Sequence, residues 1–413
     1  MRRADRLLEY LRTSLWVVPA LAALLAVGLA LGTIAIDRST GARLGFEGGA
    51  EAARSVLSTI AAAMITFTGL VFSITIVALQ LASGQLSPRV MRAFLRDRTS
   101  KIALGTFVAT FAFAFTALRA TRDDAVPGIS VTIAILLVFA SVGVFIHYIN
   151  HTAHAIRASA VIETVAAEAR ESLERNYPAQ QPAAASEPAT ASEPTLVHNR
   201  AGPGLVTGIN APRMVAIAAA ADAVVVMRAG PGDFVPADAP LLELHGAAPE
   251  DCDVLDCISL GEERTMQQDA AFGFRQLVDL AIRALSPGVN DPTTAIQAID
   301  QIHDLLRRLA TRQMPAGRIC DEDGTVRVAY PSVGWEDFVS LALDEVRIYG
   351  AGSLQVHRRL NELIGDVAAI APAERRPPLR VQAELLTAAA QREFPDAHDR
   401  EAAGRRDVQG VGS

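Results

Sequence analysis

Long uncharged stretches occupy the first third of the chain. The first runs from Ser14 to Ile36, and three more follow at about Val56–Ser83, Ile102–Leu118 and Pro127–Tyr148. A helix needs about 20 apolar residues to cross the hydrocarbon core of a bilayer. The pattern therefore predicts four transmembrane helices at residues 14–36, 56–83, 102–118 and 127–148, forming a membrane domain within residues 1–150.

The first apolar run has two interpretations. Arginines precede it, as they precede the core of a signal peptide, but the run is longer than such a core and no A-x-A cleavage site follows. These features favour an uncleaved transmembrane helix. The preceding arginines are Arg2, Arg3, Arg6 and Arg12.

The distribution of basic residues predicts the orientation. The second loop holds more arginine and lysine than the first or the third, and such residues are retained on the cytoplasmic side of a membrane. The second loop, the N-terminus and everything after residue 150 are therefore predicted to be cytoplasmic. The basic residues of this loop are Arg89, Arg92, Arg96, Arg98 and Lys101.

A polar stripe runs along the second apolar helix. Thr59, Thr66, Ser73 and Gln80 recur every seven residues, with Gly69 on nearly the same face. Two interpretations are open. Polar side chains at membrane depth can line a permeation path, or small and hydroxylated residues can pack one helix against another, which is commoner in membrane bundles.

Three histidines follow at the end of the fourth helix. His147, His151 and His154 would share one helical face and are candidates for a metal site or a pH sensor. One helix rarely supplies a full ligand set and no acid completes this one. We therefore predict no metal and interpret the segment as a polar helix end.

The remaining chain predicts a cytoplasmic α+β domain. Residues 151–177 contain strong helix formers and predict a rigid helical stalk, and the Pro/Ala-rich residues 178–200 predict a linker. Short Val/Leu/Ile runs in residues 201–250 predict a small β-rich module. Helical periodicity dominates residues 251–395, and residues 396–413 are predicted to be a disordered tail.

The β-rich module resembles a biotinyl/lipoyl-type barrel-sandwich. The resemblance lies in Gly-Asp-Phe-Val, starting at Gly232, followed by Pro240 and Leu241. Carrier domains of that type attach their cofactor to a lysine, but the only lysine of the chain is Lys101. Covalent biotin or lipoate is excluded, and we predict no cofactor.

Charged residues concentrate around a predicted helical hairpin. Its turn, from Ser286 to Pro292, has a structural explanation, because Asp followed by Pro is a typical N-cap and first helical position. The alternative is a ligand-binding or interface network. Its candidate residues are Arg264, Asp269, Arg275, Asp279, Ser286, Asn290 and Asp291, with Arg283 beside them.

Composition and motifs exclude several classes of function. The net charge is −7 and no basic block follows residue 105, so nucleic acid is not a predicted partner. Three cysteines, Cys252, Cys257 and Cys320, argue against a disulfide framework and suit a reducing compartment. The common catalytic motifs have no convincing counterpart, so the chain is not predicted to be an enzyme.

Several segments together resemble the bacterial family of predicted membrane proteins known as domain of unknown function 2254, from about Leu8 to Phe394. They include FIHYINHTAHAIR, GPGDFVPADAPLLEL, WEDFVSLALDEVRIYGAGS and, most specific of all, ALSPGVNDPTTA. The resemblance implies a bacterial inner membrane and brings no function. It singles out, without roles, His147, Arg275, Gln276, Asp279, Ser286, Pro287, Asn290, Asp291 and Pro292.

Two functional hypotheses follow. The first is a channel-like or transport-related homo-oligomer in the lipid bilayer, regulated by its cytoplasmic domain. The second is a membrane-anchored sensor or scaffold that transports nothing and binds an unidentified small ligand, ion or protein partner near Ser286 to Asp291. A membrane enzyme ranks third.

Overall fold

The computed structural model describes residues 16–40, 46–85, 98–123, 125–155, 157–178, 193–246 and 254–407. The described chain divides after Val161 into two compact units, here called the membrane unit and the C-terminal unit. Several predictions lie outside the described residues. They concern the N-terminal arginines, the loop at residues 86–97, linker residues 179–192, Cys252 and residues 408–413.

Four long helices form the membrane unit. They are α1 (Val17–Thr40), α2 (Ala50–Gln85), α3 (Arg98–Ala120) and α4 (Gly128–Ala155). Each is long and apolar enough to cross a membrane. The four predicted apolar spans are confirmed, and each helix ends a few residues beyond the C-terminal end of the span that predicted it.

Helix α3 lies at the centre of this unit and packs against the other three helices. Half of its apolar span is buried, compared with 28% or less in the others. A helix enclosed by protein needs less apolar surface than one that faces lipid, which explains why the shortest apolar run is the central helix. Phe107 of α3 packs against Phe67 and Phe145, with ring centroids 5.9 and 6.3 Å away.

Among the described residues, the buried polar side chains of the bundle are paired, with the exception of the Thr152 hydroxyl. The Thr75 hydroxyl lies 2.7 Å from the hydroxyl of the fully buried Tyr148. Asp37, near the end of α1, accepts hydrogen bonds from the backbone N–H groups of Ile129 and Ser130 at 3.0 and 3.2 Å. A carboxylate in this position satisfies the first turn of α4 and complements its helix dipole.

The predicted stalk is wrong as a continuous helix. Helix α4 ends at Ala155, and a separate helix, α5 (Ala158–Asn176), follows. The reason is amphipathicity: α5 alternates charged residues with an apolar face, and Val165, Ala169 and Leu173 on that face are buried. It packs into the C-terminal unit, where Ala169 lies so close to Gly273 that any residue larger than glycine at position 273 would collide with Ala169.

Two open sheets form the β-rich part. The larger has the order β1-β5-β3-β8-β7 and the smaller β4-β2-β6. The strands are β1 (Thr195–His198), β2 (Gly204–Ile209), β3 (Ala223–Met227), β4 (Phe234–Val235), β5 (Pro240–Gly246), β6 (Ile258–Gly261), β7 (Arg318–Cys320) and β8 (Val326–Ala329).

This architecture corrects the predicted module in three ways. The described strands form no closed barrel. Helix α6 (Ala211–Ala220) interrupts the β-rich stretch, capped by the Asn210 side chain and started by Pro212. The larger sheet also takes two strands from beyond residue 300, because β8 pairs in parallel with β3. Thr195–His198, inside the predicted linker, forms an edge strand.

Helices make up the rest of the C-terminal unit. Helix α7 packs on α8 and α9, and α8 packs on α10. Their apolar faces are fully buried at Leu277, Leu306 and Leu363. The helices are α7 (Ala270–Ala284), α8 (Pro292–Ala310), α9 (Trp335–Tyr349), α10 (Leu354–Ile370), α11 (Arg376–Glu393) and α12 (Ala397–Gly404).

The predicted disordered tail is wrong up to residue 407, because α12 docks on α10. Ala402 and Ala403 are buried. The Arg358 guanidinium donates to the Ala402 carbonyl and the Asn361 amide to the Ala403 carbonyl, both at 2.9 Å. Small alanines allow this close approach, although the segment has too few large apolar residues for its sequence to reveal a buried face.

Deleting residues 396–413 should therefore destabilise the C-terminal unit. Loss of the two hydrogen bonds alone is worth about 1–3 kcal/mol, and its thermal unfolding midpoint in detergent should fall. Deleting only residues 408–413 is the matched control, because it removes none of these contacts. Equal midpoints for both deletions would contradict the docking of α12.

Candidate functional site

The polar stripe of α2 faces outward from the membrane unit. Thr59, Thr66, Ser73 and Gln80 are all exposed. The packed face of the same helix lies opposite and is fully buried, for example at Met64. The residues predicted to line a path are therefore on the outside of a single chain and not between its four helices.

The hydroxyl groups of the stripe bond to their own helix. Thr59 donates to the Ser55 carbonyl at 2.7 Å, Thr66 to that of Ala62 at 3.1 Å and Ser73 to that of Gly69 at 2.9 Å. Each proton is thereby satisfied, while the hydroxyl oxygen keeps a lone pair for an outside donor. Such a surface is tolerated by lipid and also accepts hydrogen bonds from another helix or from water.

A cavity of about 600 Å³ opens at one end of the membrane unit, where α1 and α3 end and α2 and α4 begin. Asp37, Glu47 and Asp123 line it together with Arg38. Among these described charges acids outnumber bases. Arg54 forms an ion pair with Asp123 at 2.8 Å near its rim.

The three histidines do not converge. The rings of His147 and His151 lie nearly parallel with centroids 6.3 Å apart, whereas His154 bonds through Nδ1 to the Asn150 carbonyl at 2.7 Å. Within the described residues no group of three His, Cys, Asp or Glu side chains is placed to hold a metal ion.

Arg264 and Asp269 form an ion pair at the start of α7. Two guanidinium nitrogens of Arg264 lie 2.8 Å from Asp269 Oδ2, and the Phe272 backbone N–H donates to Oδ1 at 3.1 Å. Asp269 is therefore the N-cap of the helix. It is only 5% exposed, and burial raises the pKa of its carboxyl despite the guanidinium.

Arg275 connects α7 to α9. Its guanidinium makes a bidentate ion pair with Glu345 at 2.5 and 2.6 Å and bonds to Asp279 at 2.8 Å. These bonds raise the pKa of Arg275, and in return they lower the pKa of Glu345. Glu345 lies 70 residues away along the chain, which is why local sequence patterns did not identify it.

The turn from Ser286 to Asp291 satisfies its own polar groups. Asp291 accepts from the Thr294 backbone N–H and hydroxyl at 3.1 and 2.6 Å, and these bonds lower the pKa of its carboxyl. The Ser286 hydroxyl donates to the Arg283 carbonyl at 2.7 Å. Asn290 has a φ of +49°, a left-handed conformation that Asn tolerates well. The capping role predicted for Asp291 is present.

The candidate residues of this hairpin form three separate clusters. Arg264 with Asp269 lies at one end of α7, Arg275 with Asp279 in the middle, and the turn at the other end. Two of these clusters are separated by the length of the helix, about 22 Å for 15 residues at 1.5 Å each. Gln276, between them, is buried, and its Nε2 has no hydrogen-bond partner in the described part of the chain.

A cleft of about 150 Å³ lies beside Asp269. It is bounded by the last residues of α5, the turn before β4 and the loop that precedes α9. Tyr177 and Tyr330 line it. Sequence reasoning missed both tyrosines, because 153 residues separate them and neither belongs to a recognisable motif.

A second network, also missed, joins α8 to α10. The buried Arg359 donates to Asp300 at 2.6 Å and to His303 Nδ1 at 2.8 Å. A guanidinium can only donate, so Nδ1 accepts and the His303 proton sits on Nε2, which donates to Asp366 at 2.8 Å. Arg307 also bonds to Asp366. Burial lowers the pKa of His303.

The sequence model of a family described as predicted membrane protein, DUF2254, matches residues 12–366. The chain belongs to this family. Uncharacterised proteins from Mycobacterium bovis and Mycobacterium tuberculosis resemble this DUF2254 protein at 32% identity, over 97% of its length and 80% of theirs. No solved structure matches it. The predicted resemblance is confirmed, and neither the family nor these relatives brings an activity.

Acidification should weaken the C-terminal unit of this DUF2254 protein through His303. Because the folded pKa is lowered, the unfolded chain takes up the proton at a higher pH than the folded chain does. The contribution of His303 to stability is fully present above pH 6.5, the ordinary pKa of histidine. It is lost as the pH drops through the lower pKa that this histidine has in the folded chain.

The measurement is the urea midpoint of the C-terminal unit at pH 7.5 and 5.5. In His303→Gln the amide can replace both hydrogen bonds but cannot titrate, so the difference between the two midpoints should shrink. His398→Gln, at an exposed position, is the control and should keep the full difference. An unchanged pH dependence in His303→Gln would exclude this histidine as the cause.

Proposed function

We propose that this membrane protein is a channel-like homo-oligomer. In the assembly the polar face of α2 meets the same face of neighbouring copies, and the C-terminal unit, on the cytoplasmic side, regulates the path between them. The outward direction of the whole stripe carries the proposal.

Small and hydroxylated residues support close approach of two α2 helices. Gly69 has nothing within 4 Å of the position its Cβ would occupy, so a neighbouring helix can reach the backbone there. The Gln80 amide is exposed and no partner for it is found among the described residues. An interhelical hydrogen bond from such a group is worth about 0.6–2 kcal/mol in a membrane.

The acidic cavity at the end of the bundle supports a cationic cargo. Asp37, Glu47 and Asp123 outnumber Arg38 and the Arg54 that pairs with Asp123, which leaves one net negative charge. A cavity lined by one sign of charge raises the local concentration of the opposite ion. On the predicted orientation this cavity lies on the non-cytoplasmic side, where it would serve an entering cation.

A second candidate is the sensor that transports nothing. The cleft beside Asp269 favours it, because Tyr177 and Tyr330 offer polar groups at a concave surface of the C-terminal unit. The same cleft would serve a regulated channel, so measurements of assembly and of flux are needed to separate the two candidates.

Disulfide cross-linking tests the assembly. In a chain whose three cysteines are replaced by serine, Thr66→Cys should form covalent dimers when oxidised in membranes, since copies that meet at α2 bring the two Cα atoms within about 7 Å. Phe139→Cys is the control, because Phe139 is 71% exposed but lies on α4. Absence of dimers at Thr66, or equal yields at both positions, would contradict an interface along α2.

Flux in liposomes tests conduction. The Thr66/Ser73/Gln80→Leu variant should reduce cation flux at least tenfold, because leucine removes the polar groups from the proposed path. The matched control changes Thr106, Thr116 and Thr132 to leucine, since these hydroxyls also donate to their own helices, at 2.9, 2.7 and 2.9 Å, but lie on α3 and α4.

Both variants must insert and fold like the natural chain for the comparison to count. No cation flux from the natural chain at any tested pH, in spite of cross-linking at Thr66, would reject the channel and leave the sensor.

A further inference from the structure

The cleft beside Asp269 contains two tyrosine hydroxyls that make no hydrogen bond to the described residues. Tyr177 is only 6% exposed, with its ring packed edge-on against Phe338 at 5.5 Å. Tyr330 is half-buried and lines the same cleft. Neither hydroxyl oxygen is among the fully enclosed polar atoms that lack a partner, so both reach the open space of the cleft, where a ligand or water can bond to them. The two hydroxyls therefore indicate a binding surface.

The Tyr177 hydroxyl lies near the Asp269 carboxylate, and Tyr330 lines the same cleft. Burial raises the pKa of Tyr177, and the negative charge of Asp269 and the neighbouring Tyr330 raise it further. Tyr177 therefore stays a neutral phenol at physiological pH, able to donate one hydrogen bond and to accept others. The carboxylate and the two phenols form a polar wall of the cleft, whose other lining residues, such as Ile209 and Pro315, are largely apolar.

The charge at this wall is negative. Asp269 is the only ionisable acid or base among the described lining residues apart from the tyrosines. Arg264 neutralises it in part, but Asp233 is close enough for its charge to raise the pKa of Asp269.

Asp269 also has room for one more donor. A carboxylate offers about four acceptor positions, and Arg264 and the Phe272 N–H occupy three of them. The remaining position belongs to Oδ1. Burial disfavours the charged form of this carboxylate, and a cation that donated a hydrogen bond to Oδ1 would offset that cost.

These features select among ligand classes. An anion would meet a buried carboxylate and no basic lining residue. A calcium or magnesium ion needs several oxygen ligands with enough charge, whereas one shared carboxylate is present. An ammonium ion can donate to Asp269 and the tyrosine oxygens, and it is attracted to the faces of aromatic rings. One water-sized group needs about 10–15 Å³, so the cleft admits roughly ten of them.

We infer that the cleft binds a small organic ammonium ion of up to roughly ten non-hydrogen atoms, held by Asp269, Tyr177 and Tyr330. The inference rests on the ligand-binding role proposed above and names the class of ligand. It does not depend on whether the protein conducts ions.

Calorimetric titration of the full-length protein in detergent tests the inference. Four probes are compared: butylammonium, choline, the neutral butanamide and the anionic butanoate, of which the first, third and fourth share a four-carbon skeleton. Butylammonium or choline should bind at least tenfold more tightly than butanamide, and butanoate should bind most weakly.

Variants locate the binding. Tyr177→Phe and Tyr330→Phe each remove a hydroxyl that makes no bond to the described protein, so the fold should persist while affinity for the ammonium probes falls three- to tenfold. Tyr349→Phe is the control, because Tyr349 is 52% exposed on α9 and is not a lining residue. Its affinity should match that of the natural chain.

The remaining outcomes separate the two proposals. If butanamide or butanoate binds as tightly as the ammonium probes, and the two cleft variants weaken that binding, the ligand-binding role stands and the ammonium class is wrong. If no probe binds, or if binding is unchanged in both cleft variants, the inference fails together with the role assigned to this cleft.

Discussion

A backbone N–H or C=O in the hydrocarbon core of a bilayer has no water with which to bond, and the rest of this structure follows from that constraint. Segments that cross the membrane must therefore be uninterrupted helices, and α1 to α4 are helical from end to end. Where the apolar sequence ends, near Ala155, the constraint ends as well. Helix α4 ends there, and the separate helix α5 packs through its apolar face.

The same constraint determines how polar side chains are used. Inside the bundle the described buried side chains are paired, as Thr75 is with Tyr148, except for the Thr152 hydroxyl. On the outside of α2 each hydroxyl bonds to a carbonyl of the preceding turn. The helix thus presents two different surfaces, one filled by its own chain and one that is compatible with both lipid and a second copy. Association along α2 therefore requires no rearrangement within the chain.

Local patterns predicted the parts of the fold that depend on local physics. Apolar run length predicted the four spans, and Asp291 followed by Pro292 predicted a helix start that is present. Periodicity defined the polar stripe but could not tell whether it faces inward, since that depends on which neighbours α2 has. The expected single network around α7 became three clusters, because a helix separates residues along its axis as well as around it.

Local patterns could not predict contacts between residues that are distant along the chain. Glu345 pairs with Arg275, and Tyr330 lines the same cleft as Tyr177. No spacing rule connects the segments from which these residues come. Helix α6 was missed because Val/Leu/Ile runs flank it on both sides, although its alanines favour a helix and Asn210 with Pro212 marks the helix start. Whether the turn from Ser286 to Asp291 also contacts a partner stays a prediction.

The position of β8 has a consequence for synthesis of the chain. Val225 of β3 pairs with Val328 of β8, which leaves the ribosome about 100 residues later. At about 5–20 residues per second this interval lasts roughly 5–20 s. Throughout it β3 has an unpaired edge, and an open apolar edge is a site for wrong pairing. Wrong pairing at this edge is therefore a hazard for the nascent C-terminal unit until β8 has been synthesised and pairs with β3.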